Sequence, residues 1–216
     1  MSDPFFIDLW SDVVCPFCYL GARQLQLALD RFENVGDVVI RHRAFELDPK
    51  APTDYDLSLP ELLAKKYSMP IERAKALNDR LEGEASVLGM TWSMKDARPT
   101  NTFDAHRVIA LSVTQELDQV MSERLFRAYF CEGQLVSDRV VLTALANEVG
   151  VVGVEELWSS DAFSSAVRAD EDDARELGIT GVPSLLLDEK FMVVGAQCAD
   201  QILDVLQRAW ARRAAA

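Results

Sequence analysis

The sequence predicts an α/β fold in which a βαβ half and a ββα half are separated by a large all-helical insertion. Three observations support this prediction. Residues 1–46 show a strand, a helix and a second strand in succession, and residues 59–178 have an almost entirely helical pattern. After residue 178 the chain returns to two short strands and one helix. A strand–helix–strand unit places its two strands parallel and adjacent in one sheet.

The βαβ half begins with an apolar and aromatic run over residues 5–10, which is typical of a buried strand. A Cys-Pro-Phe-Cys segment follows, after which apolar residues recur at helical spacing up to Phe32. Residues 38–45 then alternate between two faces, which indicates a second strand.

Three prolines between residues 49 and 60 interrupt this pattern and introduce the helical insertion. Its clearest predicted helices cover residues 71–88, 102–115, 117–129 and 138–149. Asn101 or Thr102 can cap the second of these helices, and Ser137 or Asp138 can cap the fourth.

The ββα half follows a Gly-Val-Pro segment at residues 181–183. Residues 184–187 and 191–194 are predicted strands of one hairpin, and residues 200–211 carry apolar side chains along one side of a terminal helix. The predicted domains are therefore residues 1–46 with 179–216, and an inserted helical domain over residues 47–178.

The composition excludes two classes of partner. The chain has 35 acidic and 22 basic residues and a net charge of −13, whereas nucleic acids and anionic membranes bind clustered Lys and Arg. No apolar run approaches the roughly 18 residues that a membrane span needs. The N-terminus lacks the basic stretch of a secretory signal, and Asp8 and Asp12 interrupt its apolar residues. We therefore expect a soluble, cytoplasmic protein.

The four cysteines are too few for a disulfide scaffold, and only Cys15 and Cys18 have an informative spacing. A Cys-x-x-Cys pair that follows a buried strand and opens a helix is the context of a redox motif. A structural zinc site would need a second Cys or His pair, but Cys131 and Cys198 are isolated in the sequence, so no metal is predicted. Two buried structural thiols are the alternative interpretation.

The spacing also predicts different roles for the two thiols. Residues 15 and 18 lie one helical turn apart, which matches the Cα separation of a disulfide. Pro16 suits the first helical position and leaves Cys15 at the helix cap, where the helix dipole favours the thiolate. We predict that Cys15 is the solvent-accessible nucleophile and that Cys18, deeper in the helix, resolves the mixed disulfide.

The order of these elements resembles the DsbA family of the thioredoxin-fold superfamily and is most similar to its cytoplasmic FrnE-like branch. The resemblance runs over nearly the whole chain, through FIDLWSDVVCPFCYLGARQL, RPTNTFDAHR, LFRAYFCEG, ELGITGVPS and VVGAQ. It implies a thioredoxin-like fold whose helical insertion covers one side of the site. It also implies a cis peptide bond between Val182 and Pro183, packed against the cysteine pair.

Further site residues are predicted by the same resemblance. Val182 and Pro183, together with Pro16 and Phe17 of the motif, are expected to bind an extended substrate segment. Many relatives carry Trp where Phe17 stands and Pro where Cys198 stands. The accessory candidates are a carboxyl group that could take up a proton, two polar residues of the insertion and a third thiol able to exchange with the pair: Asp12, Asn101, His106 and Cys198.

The predicted function is that of a thiol–disulfide oxidoreductase or isomerase without a bound cofactor. Its expected partners are disulfides of proteins or small molecules, with glutathione as a co-substrate or a thioredoxin-type protein as reductant. The alternative is a glutathione-dependent isomerase or transferase similar to the kappa-class transferases and chromene-carboxylate isomerases, which carry serine in place of the first cysteine. A third class is a chaperone that binds unfolded peptides beside Pro183.

Overall fold

The computed structural model describes residues 4–214, which divide into two compact units. One unit contains the described residues up to Leu47 and from Arg168 onward, and the other is Asp48–Val167. The second boundary therefore lies before the predicted position at residue 178, inside a helix whose later part is hydrogen-bonded to the sheet. Residues 1–3 and 215–216, which the prediction assigned to the first domain, lie outside the described residues.

The first unit contains a four-stranded sheet. Its strands are β1 Phe5–Ser11, β2 Val38–Ala44, β3 Ser184–Leu187 and β4 Phe191–Val194, in the order β2-β1-β3-β4. β1 and β2 are parallel, whereas β3 is antiparallel to both β1 and β4. This topology confirms the predicted α/β fold with its βαβ and ββα halves.

The helices also follow the predicted pattern. They are α1 Pro16–Leu29, α2 Leu59–Lys66, α3 Ile71–Val87, α4 Phe103–Val113, α5 Asp118–Phe130, α6 Arg139–Glu148, α7 Val154–Trp158, α8 Ser164–Glu176 and α9 Ala199–Ala214. Asp138 caps α6, since its Oδ1 accepts the Val140 N–H at 2.8 Å. Thr102 precedes α4, but Asn101 supplies the oxygen that accepts the Phe103 N–H, at 2.9 Å. None of the described helices is long and apolar enough to span a membrane.

One face of the sheet carries the apolar core of this unit. Phe5, Ile7 and Leu9 of β1 are buried there against α1 and α9. The helices contribute Leu25, Ala28, Leu29, Ile202, Leu206 and Ala209. Because this layer fixes α1 against β1, the N-terminus of α1 is held where β1 ends.

The opposite face of β1 carries a charged residue. Asp8 is 2% exposed and is bonded by both Arg41 and Arg43 of β2. Arg43 also donates to Asp170 of α8 at 2.9 Å, and Asp170 accepts the Ala44 N–H at 2.9 Å. Burial raises the pKa of Asp170, against the opposing effect of these two donors. These bonds explain why the later part of α8 belongs to the unit that contains the sheet.

The helical unit has its own buried charge. Arg107 of α4 is 3% exposed and donates to three backbone carbonyls, those of Leu157, Ser160 and Ala162. Its Nη1 donates to Asp104 at 2.8 Å. A buried guanidinium with this set of acceptors holds the end of α7 and the chain that follows it against α4.

Candidate functional site

The cysteine pair lies at the turn from β1 into α1. Cys15 has extended backbone angles, φ −89° and ψ 113°, and precedes Pro16, the first residue of the helix. The Cys15 N–H donates to the Asp12 carbonyl at 3.0 Å, and the Cys15 carbonyl accepts the Cys18 N–H at 3.0 Å. Cys15 is therefore the N-cap of α1 and Cys18 is in its first turn, as the sequence predicted.

Both thiols are free. Burial raises the pKa of Cys18 well above its ordinary value, and the hydrogen bond and charge of Cys15 raise it further. Hydrogen bonds from the Ser11 side chain and the Asp12 backbone amide act in the opposite direction. Cys18 is thus the thiol that stays protonated at neutral pH.

The exposure of Cys15 differs from the prediction. Cys15 is 3% exposed and Cys18 1%, so the deeper position of Cys18 holds but Cys15 is buried as well. The Cys15 Sγ lies 3.7 Å from the Val182 carbonyl oxygen, to which it donates. Phe17, between the two cysteines, is 43% exposed. The exposed part of the motif is therefore the ring of Phe17 rather than the leading sulfur.

The Gly-Val-Pro segment packs against α1 in the same unit. The Val182–Pro183 peptide bond is cis, and the Pro183 carbonyl accepts the Gly195 N–H at 2.8 Å. A Cβ atom placed on Gly21 would lie 3.0 Å from the Cγ of Pro183. The structure therefore brings Cys15, Val182 and Pro183 together, and the absence of a side chain at Gly21 permits the approach.

We expect Gly21→Ala to impair thiol–disulfide exchange, because the added methyl group must push the rigid Pro183 ring or α1 by a few tenths of an ångström. Gly83→Ala is the matched control, since a Cβ there meets nothing within 4 Å. Disulfide reduction by both variants, with melting temperatures, measures the effect. Equal activity of Gly21→Ala and the parent would show that the close approach of Gly21 to Pro183 does not affect function.

The accessory candidates have different surroundings. Asp12 is buried in the unit of the cysteine pair, and its Oδ2 accepts the Leu47 N–H at 2.7 Å. Asn101 and His106 belong to the helical unit, where His106 is buried in α4. Cys198 is exposed before α9, and its thiol donates to Gln201 at 3.3 Å. Participation of these four residues in exchange stays a prediction.

Sequence reasoning did not identify two residues of the site. Ser11, the last residue of β1, was not singled out, yet its side chain is among the groups that lower the pKa of Cys18. Gly21 was not singled out, although a glycine inside a helical pattern can indicate a close backbone approach. Among the described residues, no group of three or more His, Cys, Asp or Glu side chains could hold a metal ion.

Comparison with solved structures shows the same fold in several proteins. A crystal structure described as a probable DsbA oxidoreductase, SCO1869 from Streptomyces coelicolor, has a TM-score of 0.91 and 33% identity over 96% of this chain and 90% of that one. The cytosolic disulfide reductase DsbM from Pseudomonas aeruginosa, solved with GSH, has a TM-score of 0.65 and 21% identity over 94% and 98%. A 2-hydroxychromene-2-carboxylate isomerase has a TM-score of 0.69 and 20% identity over 97% and 96%. At these identities the last two show the fold alone.

The model of the DSBA-like thioredoxin domain family matches residues 6–207, which include both cysteines, the helical insertion and the Gly-Val-Pro segment. Together with the fold and the position of the cysteine pair, this match shows that the chain belongs to the DSBA-like thioredoxin domain family.

Proposed function

We propose that this protein is a thiol–disulfide oxidoreductase that reacts through Cys15 and Cys18. The observation that carries the proposal is the pair of free thiols at the N-terminus of α1, with the Cys15 Sγ beside the Val182 carbonyl. Cys15 stands at the N-cap of α1, while burial keeps Cys18 protonated. Cys15 is thus suited to attack the substrate disulfide, and Cys18 is suited to attack the mixed disulfide that results.

The reaction has two exchange steps. The Cys15 thiolate attacks a disulfide R–S–S–R′, forms the bond between Cys15 and RS, and releases R′S⁻, which takes up a proton from solvent. The Cys18 thiol then loses its proton, and its sulfur attacks the Cys15 sulfur, which releases RS⁻ and forms the Cys15–Cys18 disulfide. The substrate disulfide is reduced and the pair is oxidised, and the reverse sequence oxidises a substrate dithiol.

The proposed substrates are disulfides of proteins or small molecules, bound at Val182, Pro183, Pro16 and Phe17. The exposed ring of Phe17 supports this assignment, because it offers an apolar contact beside the reacting sulfur. Glutathione or a thioredoxin-type protein is the proposed source of electrons, and the cytoplasm the proposed compartment. A cytosolic glutathione potential of about −220 to −320 mV would keep the pair reduced and favour reductase or isomerase activity. Membership of the FrnE-like branch stays a prediction.

Substitution of each cysteine tests the proposal. We expect Cys15→Ser to reduce disulfide reductase activity to the uncatalysed rate and Cys18→Ser to accumulate a mixed disulfide between Cys15 and the substrate. Cys131→Ser and Cys198→Ser are the matched controls and should retain activity. Reduction of insulin and of glutathione mixed disulfides is followed by turnover and by intact mass. Full activity of Cys15→Ser would contradict the proposal.

The glutathione-dependent isomerase is the second candidate, since the isomerase named above shares the fold. It requires glutathione as a cofactor and needs no second cysteine. Its prediction is that Cys18→Ser keeps full activity on a chromene carboxylate, whereas the oxidoreductase needs Cys18 to complete its cycle. The variants Cys15→Ser and Cys18→Ser therefore distinguish the two functions.

A further inference from the structure

We propose that Asp12 is a positioning residue for Cys15: its side chain and its backbone carbonyl together fix the turn that carries the attacking sulfur. This inference rests on the proposed function and assigns Asp12 a role other than the uptake of a proton. Asp12 lies between β1 and α1, outside the Cys-Pro-Phe-Cys motif. It acts through the backbone of Cys15 and forms no bond to a reacting sulfur.

Asp12 makes hydrogen bonds to two separate segments of the chain. Its Oδ2 accepts the Leu47 N–H at 2.7 Å, and its backbone carbonyl accepts the Cys15 N–H at 3.0 Å. Asp12 thus connects the segment that follows β2 with the turn that leads into α1. Because Cys15 is only three residues away and is bonded to the same residue, a displacement of Asp12 would move the Cys15 backbone with it.

The segment that follows β2 is itself held on both sides. The N–H groups of residues 44–47 donate alternately to side chains of α8 and to the two residues at the end of β1. Ala44 and Glu46 donate to Asp170 and Glu171 at 2.9 and 3.3 Å, and Phe45 and Leu47 donate to Ser11 and Asp12 at 3.2 and 2.7 Å. The Leu47 N–H is therefore the last donor of a fixed segment, to which the Asp12 side chain attaches the cysteine turn.

Burial makes both the Asp12 bonds and the position of Cys15 sensitive to a small change. Asp12 is 1% exposed, so water cannot easily replace a lost acceptor there. Cys15 is 3% exposed, and its Sγ lies 3.7 Å from the carbonyl oxygen of Val182, where the substrate is proposed to bind. A loosened turn should therefore slow exchange with a bound disulfide and at the same time make the Cys15 sulfur easier to reach.

Two substitutions of Asp12 separate positioning from proton uptake. Asp12→Ala removes the acceptor of the Leu47 N–H, whereas the isosteric Asp12→Asn keeps an oxygen for it. Both variants lose the acidic group, so a difference between them reports on the hydrogen bond. Asp30→Ala, at an exposed position after α1, is the matched control. The parent is the full chain with Cys131→Ser and Cys198→Ser.

We expect Asp12→Ala to lower kcat/KM for the reduction of insulin by about 10–100-fold, the effect of a misplaced reacting group. Asp12→Asn should restore most of the parent value, and Asp30→Ala should match the parent. Pulse alkylation with iodoacetamide needs no bound substrate, so Cys15 should be alkylated faster in Asp12→Ala than in Asp12→Asn. Melting temperatures are measured for all variants.

An equal loss of turnover in Asp12→Ala and Asp12→Asn would overturn the positioning role in favour of proton uptake, because neither side chain can accept a proton. Unchanged turnover in Asp12→Ala would overturn it as well, and so would alkylation of Cys15 that is no faster than in Asp12→Asn.

Amide hydrogen exchange of the parent decides the matter if Asp12→Ala does not fold. The Leu47 N–H should then exchange as slowly as the Phe45 N–H, and exchange at the rate of an unprotected amide would overturn the positioning role. A parent that does not reduce disulfides would instead overturn the proposed function, and the role of Asp12 in it.

Discussion

At pH 7 a brief pulse of iodoacetamide is expected to alkylate Cys15 more than about tenfold faster than Cys18. Burial raises the pKa of Cys18 well above 9, so less than about 1% of this thiol is ionised at pH 7. Cys15 lies at the N-cap of α1 and is the less buried of the two thiols. Mass spectrometry of the labelled peptides at low conversion measures the two initial rates.

Cys131 is an internal reference in the labelling experiment. Burial also raises the pKa of Cys131, so this thiol should react slowly as well, although it is not part of the site. Labelling of Cys18 should increase only above about pH 9, as the pH passes into the range of its raised pKa. Label on Cys18 at a rate equal to that of Cys15 at pH 7 would reverse the assigned roles and remove the basis of the proposed mechanism.

Arg107→Met is expected to lower the free energy of unfolding of the helical unit by about 3–5 kcal/mol. The substitution keeps an unbranched apolar side chain of similar length but removes a guanidinium that is 3% exposed. The carbonyls of Leu157, Ser160 and Ala162 then lose their donor. Urea-induced unfolding of the full chain, followed by circular dichroism, measures the change.

Arg139→Met is the matched control, because both arginines bond the same carboxylate. Arg139 donates to Asp104 Oδ2 at 2.8 Å while Arg107 donates to Oδ1 at 2.8 Å, but the Arg139 side chain is 51% exposed. An exposed ion pair contributes less than about 1 kcal/mol, so Arg139→Met should change the unfolding free energy little. Similar losses of unfolding free energy in the two variants would show that burial does not determine how much these hydrogen bonds stabilise the protein.

The sequence allowed the sheet and the position of the cysteine pair to be predicted, because both depend on local patterns. An apolar and aromatic run over residues 5–10 located β1, and alternation over residues 38–45 located β2. Pro16 followed by apolar residues at helical spacing located the start of α1 and therefore Cys15. Each of these features depends only on residues within one helical turn or one strand, so the local sequence contains the information needed to predict it.

Contacts between distant segments could not be predicted in the same way. The second domain boundary lies before the predicted residue 178 because Asp170 of α8 accepts the Ala44 N–H. No pattern in an acidic amphipathic helix specifies that partner. Cys15 is buried because the Val182 carbonyl reaches its sulfur from 167 residues away in sequence. Gly21 and Pro183 are likewise far apart in the sequence, so their contact could not be predicted either. Tertiary packing, rather than propensity, decides such features.

Asp8 also has a consequence for how β1 finds its partners during folding. Side chains alternate across the sheet, so a slip of one residue against β2 would turn Asp8 into the layer that Ile7 and Leu9 now occupy. A carboxylate placed there would be separated from Arg41 and Arg43 and would face apolar side chains without a counterion. Mispaired forms of the central strand are thus penalised by the same ion pairs that the native register satisfies. A single acidic residue among the apolar side chains of β1 makes one alignment of this strand far more favourable than its neighbours.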